Sequence, residues 1–165
     1  MSTILNTNGD SLQVPELQKK VTGKFYIVTA EWNKEITYSL RDGALEVLRK
    51  AGVKENNIKT ISVPGTVELI NAAGLIVNGG DAASVIIIGT VIRGDTPHFD
   101  YVCQIAAQGT ANLNSLGKAP VIFGVLTVDN LTQAQERAGG ILGNKGAEAA
   151  AAAVAMANLH SQFWF

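Results

Sequence analysis

Three largely apolar runs and one mixed segment divide this chain, and between them apolar positions recur every three or four residues. The first run, KFYIVTAEW (24–32), is rich in β-branched and aromatic residues and predicts a strand ending at Trp32. From Lys34, the residues Ile36, Leu40, Ala44, Leu45 and Leu48 recur at helical spacing up to Gly52, which suits the left-handed position just past a helix. NIKTISV (57–63) predicts a second strand, stopped by Pro64 and Gly65, and VELINAAGLIVNGG (67–80) a helix ending at paired glycines. SVIIIGTVI (84–92) is apolar almost throughout, as in a parallel strand covered on both faces. A helix then runs to about Leu116, APVIFGVLT (119–127) supplies a fourth strand, and two helices follow, near LTQAQERAG and from Lys145 to about Leu159. The alanines of the last one predict a small-residue face for close packing.

Strand and helix therefore alternate, which predicts an α/β fold. It is a three-layer αβα sandwich around a four-stranded parallel sheet with right-handed crossovers. At 165 residues the chain suits one domain, expected over 23–159, with a polar lead (1–22) and a short tail (160–165). A formal net charge of −1, with scattered lysines and arginines, excludes the basic footprint of a nucleic-acid binder. Neither a secretory leader nor an apolar stretch of bilayer-spanning length is evident, so no membrane association and a cytoplasmic location are expected. The single cysteine, Cys103, rules out an intrachain disulfide and a cysteine metal cluster; its apolar neighbours favour a small buried hydrophobe over a nucleophile.

Parallel sheets bind ligands beyond the carboxyl ends of their strands, where loops feed helix N-termini into a common crevice. Here those ends carry Trp32 and Asn33, then Pro64 to Thr66, then Thr90 to Thr96, then Gly124 to Thr127. Thr96 suits a helix N-cap and Pro97 the first helical position, placing His98 in the first turn, with backbone donors around Asp95 and Thr96 open to an anion and Arg93 and Arg137 as possible counter-charges. Spacing alone leaves these residues with two readings each. His98 is a surface residue or a proton shuttle, and Trp32 a core residue or a platform for a planar ring. Glu68 is a helix-dipole partner or a ligand contact, and Lys145, in a glycine-rich stretch that lacks the full phosphate-loop pattern, is solvated or anion-binding.

The segments VPGTVEL, GTVIRGDTPHFDYV, VIFGVLT, ERAG and GNKGAEAA, in this order between about Phe25 and Leu159, resemble the lumazine synthase family. The resemblance implies a flavodoxin-like sheet and condensation of 5-amino-6-(D-ribitylamino)uracil with 3,4-dihydroxy-2-butanone 4-phosphate. The products are 6,7-dimethyl-8-ribityllumazine, phosphate and water, and no cofactor or metal is implied. By the same resemblance Trp32 stacks on the pyrimidine, with Asn33 beside it. Thr66, Val67 and Glu68 hold the ribityl chain, and Thr90, Val91 and Ile92 contact the pyrimidine through backbone. Asp95, Thr96, Arg137 and Lys145 bind the phosphate, His98 transfers the proton, and Phe123 comes from a neighbouring subunit.

A site shared in this way implies a homo-oligomer, at least a pentamer and, from the short connection ERAGGILGNKGAE, a sixty-subunit shell. It also implies riboflavin synthase as a partner, and a lead that adds a strand to a neighbouring sheet, where Pro15 would remove a ladder donor. Three positions depart from the family pattern: Trp32 where phenylalanine is commoner, Val67 where many relatives carry phenylalanine, and Asp95, which adds a negative charge at the phosphate turn. Two other functions stay open on the sequence: a binding protein that sequesters riboflavin or the lumazine, motivated by Trp32, and a shell whose assembly matters more than its turnover.

Overall fold

The computed structural model of the chain describes residues 12–163. In chain order the elements are β1 (Lys24–Ala30), α1 (Lys34–Lys50), β2 (Ile58–Val63), α2 (Glu68–Gly79), β3 (Ala82–Ile92), α3 (His98–Ser115), β4 (Val121–Val128), α4 (Leu131–Arg137), β5 (Ala138–Gly140), β6 (Gly143–Asn144) and α5 (Lys145–His160). All four predicted strands form one parallel sheet in the order β2-β1-β3-β4. The β5–β6 hairpin, antiparallel and three by two residues, was not anticipated, since so short a pairing leaves no periodicity to read.

Alternate residues of each strand feed two cores. Phe25, Ile27, Ile86 and Ile88 face a larger one with Leu40, Leu48 and Val154 of α1 and α5, while Val28, Val85 and Ile87 face a smaller one with Leu69, Ala73 and Val77 of α2. β3 is buried along most of its length, as its unbroken apolar run requires. The small-residue face of α5 is realised: Ala149, Ala150, Ala153 and Gly146 are buried, and a Cβ at Gly146 would fall on the Leu40 carbonyl of α1. Asn144 locks that contact. Its Oδ1 accepts from the N–H groups of Gly146 (2.9 Å) and Ala147 (3.1 Å), capping α5, while its Nδ2 donates to the Ser39 carbonyl at 2.9 Å.

Gly52 and Gly80 adopt φ of 91° and 79° past α1 and α2, the left-handed exits expected of them. At α3 the expectation shifts by one residue. Pro97 takes the cap position with helical dihedrals, its carbonyl accepts from Asp100 N–H at 3.0 Å, and the Thr96 side chain makes no capping bond.

The described part of the lead runs along its own chain. Leu17 N–H donates to the Ala51 carbonyl at 2.9 Å, and Asn158 brackets the segment by donating to the Glu16 carbonyl and accepting from Gln18 N–H, both at 2.9 Å. Leu12, Val14, Leu17 and Val21 thereby cover the larger core. Residues 12–22, Pro15 included, form no strand; the rest of the expectation of a strand added to a neighbour falls on 1–11, outside the described residues, as do Trp164 and Phe165 of the tail. No helix among the described residues is long and apolar enough to cross a membrane.

Candidate active site

The strand order places a topological switch at β1: the chain moves from β1 to β2 on one side and then returns to β3 on the other. A crevice is expected beyond the carboxyl ends of strands at such a point. A groove of about 620 Å³ opens there, lined by Trp32 and Asn33 after β1, Pro64 to Glu68 after β2, Thr90 to Ile92 with Gly94 and Thr96 after β3, and His98, Phe99 and Val102 of α3.

Each wall has a local cause. β3 outruns β1, because its pairing with β1 ends at Ile88 whereas its pairing with β4 continues to Ile92. The β1-facing edge of the strand end is thus left for other partners. One of them is Asn33, whose Nδ2 donates to the Thr90 carbonyl at 3.0 Å. Among the described residues Asn33 is the one non-glycine with positive φ (57°), a conformation that asparagine tolerates better than most side chains, and its carbonyl caps α1 by accepting from Ile36 and Thr37. Asn33, expected from the family resemblance to contact a ligand, thus holds two strand ends together.

Trp32 is 74% exposed. The core reading of that residue is excluded, and a large flat ring stands at the groove mouth. Thr90, also at the groove, is buried, and its hydroxyl lacks a protein hydrogen-bond partner. Thr66 is buried too, and it is pressed on Gly89 so closely that a Cβ there would lie 2.9 Å from the Thr66 Oγ1. Val67 and Glu68 follow, exposed, at the start of α2. His98 opens α3, exposed and facing the same groove as Trp32.

Four predicted residues do not line this groove. Asp95 is exposed on the loop beside it. Phe123 lies on β4, half-buried against the smaller core. Arg137 ends α4, a helix whose Ala134 belongs to the larger core; its Nη1 donates to the Gln133 carbonyl at 3.0 Å and stands 3.6 Å from Glu136. Lys145 opens α5 in the same layer, largely buried and paired with Glu148 at 2.6 Å, so it is not the solvated lysine that spacing allowed. Among the groove's lining residues the one carboxylate is Glu68, and no lysine or arginine is present.

Two lining residues escaped sequence reasoning. Phe99 and Val102, three apart on α3, read as ordinary core positions, and only the helix's placement against the β3 rim turns them toward the groove. Cys103, next on that helix, is half-buried, and burial foremost, with Asp100 second, raises its thiol pKa above the ordinary value. That keeps it protonated at neutral pH, against a nucleophilic role.

Residues 22–161 match the 6,7-dimethyl-8-ribityllumazine synthase family. The chain belongs to that family. Among its relatives, the 6,7-dimethyl-8-ribityllumazine synthase of Bacteroides fragilis is 52% identical over 133 residues, covering 81% of this chain and 93% of the relative. The protein of the same name from Porphyromonas gingivalis is 52% identical over 133 residues, 81% and 83% of the two chains, and that from Parabacteroides distasonis 47% over 149 residues, 90% and 91%. The four-stranded parallel sheet described above is the flavodoxin-like fold of lumazine synthases, as the motif resemblance implied.

Proposed function

We propose that this chain is a 6,7-dimethyl-8-ribityllumazine synthase, joining 5-amino-6-(D-ribitylamino)uracil to 3,4-dihydroxy-2-butanone 4-phosphate with release of phosphate and water. One observation carries the assignment of residues: Trp32 and His98 line the same groove, together with the open end of β3. The ring of Trp32 then stacks on the pyrimidine while Asn33 and backbone groups of Thr90, Val91 and Ile92 read its edge. Thr66, Val67 and Glu68 receive the ribityl chain, whose hydroxyls suit the Glu68 carboxylate. Asp95 and Thr96, at the start of α3, form the phosphate turn.

The reaction's own amine attacks the ketone, so the protein needs orientation and proton transfer rather than a covalent nucleophile. Orientation contributes as much as ~7–11 kcal/mol in well-aligned systems and a positioned acid or base ~3–5 kcal/mol, so His98 assists a reaction that the groove already organises.

The groove's charge supports the participation of a second copy. Its lining offers a carboxylate and a histidine but no lysine or arginine, whereas a phosphate substrate calls for a cation. Arg137, Lys145 and Phe123, away from this groove, are supplied to it by a neighbouring copy in a pentamer, and pentamers join into a sixty-subunit shell. The exposed outer strand β2 is open to pairing with such a neighbour's lead. The enzyme works in the cytoplasm, where a lone free cysteine is ordinary, and hands its lumazine to riboflavin synthase.

Incubating the purified protein with both substrates and following lumazine absorbance tests the activity. Product formation is expected, with His98→Ala turning over about ten- to a hundred-fold more slowly. Tight flavin binding without product would favour the sequestering reading, and an unchanged His98→Ala rate would remove His98 from the chemistry. Native mass measurement tests the assembly, and a fully active monomer would overturn the shared site.

A further inference from the structure

Arg93 stands one residue past β3, beside the phosphate turn, where its charge invites the reading of an anion contact. Its bonds point elsewhere. The backbone N–H donates to the Val128 carbonyl at 2.9 Å, extending the pairing of β3 with β4 by one residue. The side-chain Nε donates to Asp129 Oδ1 at 3.0 Å, in the loop between β4 and α4, and Nη1 lies 3.5 Å from Asp100 Oδ1 in the first turn of α3. The guanidinium carbon sits 4.1 Å from the centre of the Phe99 ring, and Phe99 lines the groove. One planar group therefore grips three elements: the end of β3, the loop after β4, and the helix turn that begins with His98.

By contrast, the intervening residues have little to hold them. Residues 93–98 are exposed, and the hydrogen bonds of the described residues include none from the side chains of Asp95, Thr96 or His98. With no side-chain cap at Pro97, the orientation of the first turn of α3 depends on what touches Phe99 and Asp100.

We infer that Arg93 is a positioning residue for the His98 turn, acting through Phe99 and Asp100 with Asp129 as its anchor, and that it does not bind the substrate phosphate. Its Nε and Nη1 already face Asp129 and Asp100, and the stacked, forked geometry is one that lysine cannot reproduce. Each of these exposed ion pairs alone is worth little, so the expected effects are moderate. The role in turnover rests on the reading of His98 as the proton-transferring residue.

The test compares Arg93→Lys, Arg93→Gln and Asp129→Asn in the full-length assembled protein, all checked for native circular dichroism. Two readouts are taken: steady-state kinetics with each substrate varied, and amide hydrogen exchange of the segment 93–103. A positioning role predicts that all three variants lower kcat about three- to ten-fold with the KM of the phosphate substrate little changed, and that 93–103 exchanges faster in each. Lysine should fail to rescue.

A direct phosphate contact predicts the reverse pattern. Arg93→Gln would raise that KM, Arg93→Lys would largely restore it, and Asp129→Asn, by releasing the guanidinium, would leave KM equal or lower; this outcome overturns the proposal. So does unchanged exchange in all three variants. If His98→Ala leaves turnover intact while exchange of 93–103 still rises in the Arg93 and Asp129 variants, the reading of His98 fails and the clamp stands. If His98→Ala is slow and the clamp variants match wild type in both readouts, the clamp alone fails.

Discussion

The two faces of the sheet differ in how complete they are within one chain. On the face of α1 and α5, the larger core is closed by small side chains, capped by Asn144 and covered by the lead segment through Asn158. Even the ion pair there, Lys145 with Glu148, is nearly withdrawn from solvent. On the face of α2 and α3 the core is smaller, Leu75, Tyr101 and Ile105 of those helices remain exposed, and a groove with a tryptophan at its mouth lies at their amino-terminal ends. The first face holds the fold, and the second is left open for a ligand and, on our reading, a neighbour. On the function proposed above, Arg137 and Lys145 on the finished face of one copy serve the open face of another.

Four predictions press on this contrast. The largest effect is expected from Gly146→Leu on the closed face. Its side chain has no space against the Leu40 backbone, so α5 must leave α1 at a cost beyond the ~1–3 kcal/mol usual for overpacking. Soluble protein with an unchanged Tm would show that the face is looser than it looks.

Arg137→Ala comes next, expected to lower kcat/KM for the phosphate substrate by more than the His98→Ala loss, since a charge-assisted contact to an anion is hard to replace. If Arg137 serves a neighbour's groove, co-assembling His98→Ala with Arg137→Ala subunits in equal amounts regenerates intact sites, about a quarter of the total for random mixing across a head-to-tail interface. A mixture no better than its components would place Arg137 in its own subunit's site, or in none.

Trp32→Ala should separate binding from stability. Its exposure predicts a stability change within ~0.5 kcal/mol, against ~2–5 kcal/mol for Leu40→Ala on the buried face, while loss of stacking weakens the pyrimidine ligand about ten-fold. Chemical denaturation and ligand titration measure the two independently, and a large stability loss would contradict the open groove.

The smallest effect concerns the amino-terminal end of the sheet. Hydrogen bonds from Lys24 (2.7 Å) and Tyr26 (2.8 Å) hold the Asp81 carboxyl below its ordinary value of 3.8. A carboxylate whose folded pKa is depressed adds stability above its unfolded pKa and loses it as pH falls through the folded one. Asp81→Asn should thus lower Tm slightly at pH 7, and the gap to wild type should close as the pH drops below 3.8. A gap that stays constant in acid would assign the effect to packing. Because these groups are exposed, added salt should shrink it.

Local pattern alone specified the four strands, the helices between them and the two-sided burial of β3, because period and run length are properties of neighbouring residues. The small-residue face of α5 and the glycine exits of α1 and α2 were legible for the same reason, and the family motifs named most of the groove's lining. What pattern could not decide depends on residues brought together from afar. That β3 outruns β1, so that Asn33 must hold the Thr90 carbonyl, follows from register, which no single strand encodes. Arg93 looked like an available counter-charge until folding set Asp129 of the loop after β4 beside it, and the solvated reading of Lys145 fell to burial in the α5 layer, its partner Glu148 being a near neighbour in sequence. Phe99, buried all the same, and Val102 border the groove only because α3 is laid along the crevice. An apolar period shows which face of an element turns inward, but the charge a side chain meets and the cavity it borders are set by segments distant in sequence, so only the tertiary structure could decide them.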